Sequence, residues 1–201
     1  MSNRRIILAS ASPSRKRLLE SVGITPEILV SGVNEEDPAL LSLKPSEMVI
    51  ALAIMKAHTV RNSHEVGNSA LIIGCDSTFE FEGANLGKPL TREAAISRAK
   101  SMRGKSGYLH TGHCVIDTTQ DIEVSDISTS KVTFVDMTDR EIEDYVDSGE
   151  PLNVAGGFTL DGRSAPFISH VDGDPSGIIG LSLPTLRKIM INLGLEWGDL
   201  L

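Results

Sequence analysis

The chain has 201 residues, 40% hydrophobic and 23% charged, enough for one globular domain with its own core and cramped for two. A net charge of −8 speaks against a nucleic-acid or anionic-membrane partner, since either needs a basic face. A small polyanion met by a local cluster of Lys and Arg stays open. There is no run of about 18 apolar residues, and the opening MSNRRIILAS breaks into Ser and Pro before a signal-peptide core can form. The expectation is a soluble, unprocessed, cytoplasmic protein. Cys75 and Cys114 lie in apolar strand-like runs without CxxC spacing, so they read as small core residues in a reducing compartment.

In chain order, residues 4–10 (RRIILAS) read as a buried strand. A Ser-rich turn follows, then a helix capped by Ser12, with Pro13 in its first turn, an apolar stripe of Leu18, Leu19 and Val22, and an end at Gly23. Residues 26–31 (PEILVS) read as a second strand, NEEDP as an acidic loop, and Pro45 to His64 as a long helix. The apolar run MVIALAIM in that helix places Lys56 at the edge of something buried. The best surface loop is 61–69.

The run ALIIGC (70–75) is the strongest buried strand, expected to deliver Asp76 at its C-terminal end, where α/β sheets place their ligands. STFEFEGANLGKP reads as a hairpin with Phe79 and Phe81 alternating, a turn at Gly83 to Asn85, and an exit to Lys88-Pro89. Then come a helix from Thr91 to Met102 and strands at 106–117 and 122–136. Thr138 and Glu141 form a capping box for a helix over 139–148 that stops at Gly149. The Gly-rich NVAGGFTLDG, a strand at 165–171 and a helix from Pro184 to Asn192 complete the chain. Helices alternate with strands in the first half and strands adjoin in the second, which predicts an α/β fold with one mixed sheet wrapped by helices.

In the turn SASPSRKR, backbone N–H groups, the helix dipole, Ser hydroxyls and Arg15, Lys16 and Arg17 can converge on one anion. The alternative is a capped surface helix with solvated charges. No GxxxxGK[ST] occurs, which disfavours a P-loop kinase. Asp76, behind five apolar residues, needs a partner: a metal, a Lys, or the backbone donors of a structural cap. Lys56 and Lys88 read either as ligand cations or as snorkelling lysines. Glu35, Glu36 and Asp37 form a charge run whose default is a solvated loop. In HTGHC, His110 and His113 point to opposite faces of a strand, which disfavours zinc.

Six ordered segments, LASASPSRKRLL (8–19), GVNEEDP (32–38), Lys56-Ala57, GCDSTFEFEGANLGKP (74–89), SMRGKSGYLHTG (101–112) and AGGF (155–158), resemble the Maf family of nucleotide pyrophosphatases over nearly the whole chain. The resemblance implies a single domain over 1–201, an elongated mixed sheet wrapped by helices around a central nucleotide-binding cleft, often dimeric. It implies hydrolysis of a nucleoside triphosphate to monophosphate and pyrophosphate, with Mg²⁺ or Mn²⁺. By the same resemblance Ser10, Ser12 and Arg15 would hold phosphates, Glu35 would help with metal, and Lys56 and Lys88 would bind the triphosphate. Asp76 takes the catalytic place, as general base or as metal ligand.

A nucleotide-binding regulator of septum formation without turnover is the second reading. The full charged set of Arg15, Lys88 and Asp76 favours the enzyme. Four positions depart from the family pattern: Ser14 for an Arg, Ser77 for a Thr, Asp161 for a Gln, and Ser182 for a Pro. The first leaves one guanidinium missing unless Lys16 or Arg17 reaches round. With Ser14, Ser77 and Asp161 together, strict use of thymidine and uridine triphosphates is not expected, and a carboxylate at 161 would suit a guanine-type base.

Overall fold

The computed structural model describes residues 4–35, 37–63 and 66–201. The apolar run after Arg5 forms β1 (Arg5–Leu8), and Ile7 and Leu8 are fully buried because both faces of the strand are covered. β1 pairs in parallel with β2 (Glu27–Ile28) on one side and with β3 (Ala70–Phe81) on the other. β3 then pairs antiparallel with β5 (Ser106–Asp117), which pairs with β6 (Ile122–Phe134), which pairs with β7 (Ile168–Asp172). A short β4 (Ala84–Leu86) folds back on the end of β3, giving a mixed seven-stranded sheet in the order β2-β1-β3-β5-β6-β7 with β4 beside β3.

Helices cover both faces. α1 (Pro13–Ser21) and α7 (Leu183–Asn192) bury Leu19, Leu186, Ile189 and Met190 against Leu8, Ile73 and Val115. On the opposite face α3 (Pro45–Arg61) packs Ala53, Ala57 and Val60 on Ile7, Ile72 and Cys114. Beyond the end of β1, Phe79, Phe134 and Phe158 meet edge to face, with centroids 5.0 to 5.9 Å apart, a favoured aromatic geometry that closes the core there. α4 (Arg92–Met102) and α5 (Asp139–Asp147) pack together beside it. α5 starts at the expected Thr138–Glu141 capping box.

α3 lies unusually close to the sheet because two glycines face it. A Cβ on Gly74 would sit 2.2 Å from the Ala53 carbonyl oxygen, and one on Gly112 2.3 Å from the Val49 carbonyl oxygen. Backbone cannot rotate away as a side chain can, so Gly112→Ala is expected to destabilise the protein by about 3 kcal/mol. Urea unfolding should show a lower midpoint at unchanged slope. A loss below about 0.5 kcal/mol would mean that α3 lifts freely off the sheet.

Several expectations need correction. β3 does not stop before Asp76. It runs on to Phe81 because β5 pairs it through Glu80–Tyr108, so Asp76 lies in mid-strand. The second strand shrinks from 26–31 to Glu27–Ile28, and Val30 is exposed. The hairpin turn is Glu82-Gly83, both at positive φ, and not Gly83 to Asn85. β6 ends at Phe134, and β7 starts at Ile168 after a 3₁₀ turn over Ala165–Phe167. α3 is helical to Arg61, inside the expected surface loop, and its expected end at His64 lies outside the described residues, as does Glu36.

Two short helices were not expected: α2 (Pro38–Leu41) and α6 (Pro175–Ile179). Both begin at an Asp-Pro pair, with the Asp side chain capping the first turn. Among the described residues no helix is long and apolar enough to cross a membrane. Both cysteines are free and buried, and burial pushes the Cys75 thiol up to about 11.

Candidate active site

A mismatch of strand lengths makes the site. β1 ends at Leu8, opposite Ile73, whereas β3 continues and regains a neighbour on that side only where β4 pairs with Phe79. Between these points β3 presents an uncovered edge carrying Asp76 and Ser77, beside the turn that leads from β1 into α1. The result is a cleft of about 530 Å³. Of the residues singled out from the sequence, Ser10, Ser12, Ser14, Arg15, Glu35, Lys56, Asp76, Ser77, Lys88 and Asp161 line it, whereas Lys16, His110, His113 and Ser182 do not.

One wall is the start of α1. Ser12 caps the helix by accepting from the Arg15 N–H at 3.4 Å, and Ser10 Oγ accepts from the Ser12 N–H at 3.2 Å. The other N–H groups of the first turn carry the positive end of the helix dipole. Arg15 is not a solvated surface charge; it is 8% exposed. Its Nε donates to the Gly180 carbonyl at 2.7 Å, Nη1 to Ser10 Oγ at 2.9 Å and Nη2 to Ser77 Oγ at 3.1 Å. Three anchors fix the guanidinium plane at the cleft. Ser77 is braced in turn by Thr111 Oγ1 at 2.8 Å, and that hydroxyl donates to the Gly177 carbonyl at 2.8 Å.

The floor is a charge triad. α3 brings Lys56 against the sheet, where its Nζ lies 2.7 Å from Asp76 Oδ1 and 2.5 Å from Glu35 Oε1. Lys56 therefore does not snorkel to solvent; only 6% of it is exposed. Asp76 is 7% exposed. Burial holds its carboxyl above the ordinary carboxylate range, against the pull of Lys56 and Arg15, and Glu35 adds to the rise. Glu35 is half-buried and goes the other way. Burial raises it, but Lys56, Lys88 and Arg15 together bring its carboxyl below the ordinary value.

The opposite wall carries Asp161. Its loop is tied down by Glu150, which accepts from Thr159 Oγ1 at 2.6 Å and from the Arg163 N–H at 2.9 and 3.0 Å. Arg17 reaches round from α1 into the space that Ser14 leaves. Its Nη2 donates to Ser14 Oγ at 3.0 Å and stands 3.5 Å from Asp161 Oδ2. Lys16 does not reach; it pairs with Glu20 along the helix. Of the three basic residues in the turn, the cleft thus takes Arg15 directly and Arg17 at its rim.

Sequence reasoning missed the turn Ile178–Gly180, which lines the cleft and supplies the carbonyl that docks Arg15. The Asp174-Pro175 pair was its readable signal. His110 contacts Glu80 and Thr129, while His113 contacts Ser182 on the other face, as strand alternation requires. Ser182 caps α7, accepting from the Thr185 N–H.

A cleft at the edge of a mixed sheet, set between a helix N-terminus and buried Lys and Arg side chains, defines an α/β protein whose site has the groups that suit an anionic ligand. The chain belongs to the family described as Maf-like protein, whose model matches residues 5–193. A relative from Streptomyces coelicolor is 53% identical over 191 residues, covering 95% of this chain and 91% of its own, and is named a nucleoside triphosphate pyrophosphatase. Relatives of the same name come from Streptomyces avermitilis, 50% identical with the same coverage, and from a Cyanothece species, 44% identical over 97% of this chain and 98% of the relative.

Proposed function

We propose that this chain hydrolyses nucleoside triphosphates to the monophosphate and pyrophosphate with the help of a divalent cation, removing excess or noncanonical nucleotides from the pool. The observation that carries this reading is the Glu35–Lys56–Asp76 triad set beside a fixed Arg15 in one cleft. Arg15, Lys88 and the first turn of α1 bind the phosphates and align them. Lys56 occupies Oδ1 of Asp76, which leaves the second carboxylate oxygen to orient a water and take its proton. As the water oxygen bonds to the α-phosphorus, the bridging α–β P–O bond breaks and pyrophosphate departs with the electron pair.

The donor set fits Mg²⁺ or Mn²⁺. Among the described residues no three His, Cys, Asp or Glu side chains gather into a metal cage. Two carboxylates facing one point, here held apart by an ammonium, suit a hard cation that keeps waters and shares substrate phosphates. Glu35 would hold such an ion beside Asp76, and the ion would supply neutralising charge and a more acidic water.

At the Asp161 wall the reading of the base changes once Arg17 is present. A lone carboxylate only accepts and would repel uracil carbonyls, but Arg17 and Asp161 side by side offer a donor next to an acceptor. Guanine, hypoxanthine, uracil and thymine present a carbonyl beside a ring N–H and match this pair. Adenine and cytosine present the reverse order, an amino donor beside a bare ring acceptor, and do not match the pair when the base is held in the same orientation. The preference is expected to be about tenfold to a hundredfold in kcat/KM, the weight of roughly 1 to 3 kcal/mol for such pairing. The experiment is pyrophosphate release across a triphosphate panel that includes 7-methylguanosine triphosphate, for wild type and Asp161→Gln. Equal rates for keto and amino bases, unchanged in the variant, would show that the pair does not touch the base.

A further inference from the structure

His113 is fully buried on β5, and nothing in the reaction described above uses it. Its Nε2 accepts a hydrogen bond from the Ser182 N–H at 2.8 Å, so the ring proton must reside on Nδ1. That Nδ1 is buried and, among the described residues, has no partner at good hydrogen-bond geometry, the Thr111 backbone lending the ring support that falls short of it. A buried polar ring with one nitrogen orphaned is a poor stabilising choice, since an apolar side chain of similar volume would leave nothing unsatisfied. The position therefore needs the acceptor itself.

What that acceptor holds is the segment on which Arg15 rests. The Gly180 carbonyl, which takes the Arg15 Nε–H at 2.7 Å, and the Ser182 N–H held by His113 belong to consecutive peptide units joined at Leu181. Gly180 has φ 128°, a conformation that side-chain-bearing residues rarely adopt and that this turn requires. Two residues earlier on the same strand face, Thr111 grips the other end of the turn through the Gly177 carbonyl and also braces Ser77, which receives Arg15 Nη2. β5 thus clamps the 177–182 turn at two points, and Arg15 hangs from the turn and from Ser77.

We infer that His113 is a positioning residue for triphosphate binding: as a neutral acceptor it pins the Gly180–Ser182 backbone and so fixes the Arg15 guanidinium at the cleft. Burial, reinforced by the positive charge of Arg15, pulls the imidazole down to about 4, so the acceptor persists throughout the neutral range. The inference rests on the triphosphate reading of the cleft, and its consequence is specific. Loss of the acceptor should loosen phosphate binding through Arg15 and leave the proton transfer at Asp76 largely alone.

The test is a double-mutant cycle read by binding of a non-hydrolysable α,β-methylene triphosphate, with KM and kcat measured alongside. His113→Leu is expected to weaken analogue binding and raise KM by about tenfold, with kcat within about threefold of wild type. His113→Gln, whose amide oxygen reaches the place of Nε2, should restore binding to within about threefold. In an Arg15→Lys background, which already lacks the fork, His113→Leu should add less than about threefold. A merely structural role would instead give the same factor in both backgrounds and no rescue by Gln, and either result overturns the inference, as does wild-type binding by His113→Leu. If the Leu variant does not fold, His113→Asn, whose amide is too short to reach Ser182, takes its place with the same expected outcomes. Analogue binding that follows this pattern in a protein without turnover would sink the pyrophosphatase reading and leave this inference standing.

Discussion

Asp76→Asn is expected to lower kcat by about 10² to 10⁴, the usual weight of a general base, while leaving binding of a non-hydrolysable triphosphate within about threefold of wild type. The substitution keeps the volume of the side chain and an oxygen for Lys56, which also keeps Glu35 at 2.5 Å. Burial holds the native Asp76 carboxyl above its unfolded value, so its contribution to stability is present in acid and lost as pH rises through the folded pKa. At pH 7 the amide removes that burial penalty but also takes one anion from buried Lys56, which keeps Glu35. These two effects oppose each other, and the variant is expected to fold and to melt cooperatively at pH 7. Wild-type turnover in a variant with an unchanged melting curve would make Asp76 a structural carboxylate and remove it from the chemistry.

The parts legible in the sequence were those fixed by neighbours along the chain. The cap at Ser12, the capping box at Thr138 and the buried run before Asp76 are local signals, and each appears where local rules put it. The position of Asp76 within its strand escapes local rules because the length of β3 is set by pairing with β5, a strand distant in sequence. Lys56 was suspected of burial from its apolar helix, but its partner follows from Gly74 and Gly112, which let that helix approach the sheet. Nothing local joins Arg15 to Gly180 or Arg17 to Asp161, contacts made across most of the chain. α2 and α6, with four and five residues, are too short to show helical periodicity, and only their Asp-Pro starts betray them.

Stripping bound metal and adding excess EDTA is expected to abolish turnover, with recovery on addition of Mg²⁺ or Mn²⁺. The argument is one of charge. The cleft is lined by Arg15, Lys56 and Lys88 against Glu35, Asp76 and Asp161, so its lining is formally neutral. Lys56 is already shared between two carboxylates at 2.5 and 2.7 Å, a cluster with a net charge of −1 when all three are ionised. A triphosphate of roughly −4 brought against that cluster is repelled unless further positive charge comes with it, and in a partly buried cleft the repulsion is only weakly screened. Glu35, whose carboxyl is held below its ordinary value, is ionised throughout the neutral range and suited to hold a cation there. Glu35→Gln is therefore expected to raise the Mg²⁺ concentration for half-maximal rate by about tenfold to a hundredfold, with much of the activity regained at saturating Mg²⁺. Full activity in EDTA would refute the cation requirement. A Glu35→Gln variant that loses activity with an unshifted Mg²⁺ dependence would place Glu35 on Lys56 alone, as the residue that steadies the ammonium beside Asp76.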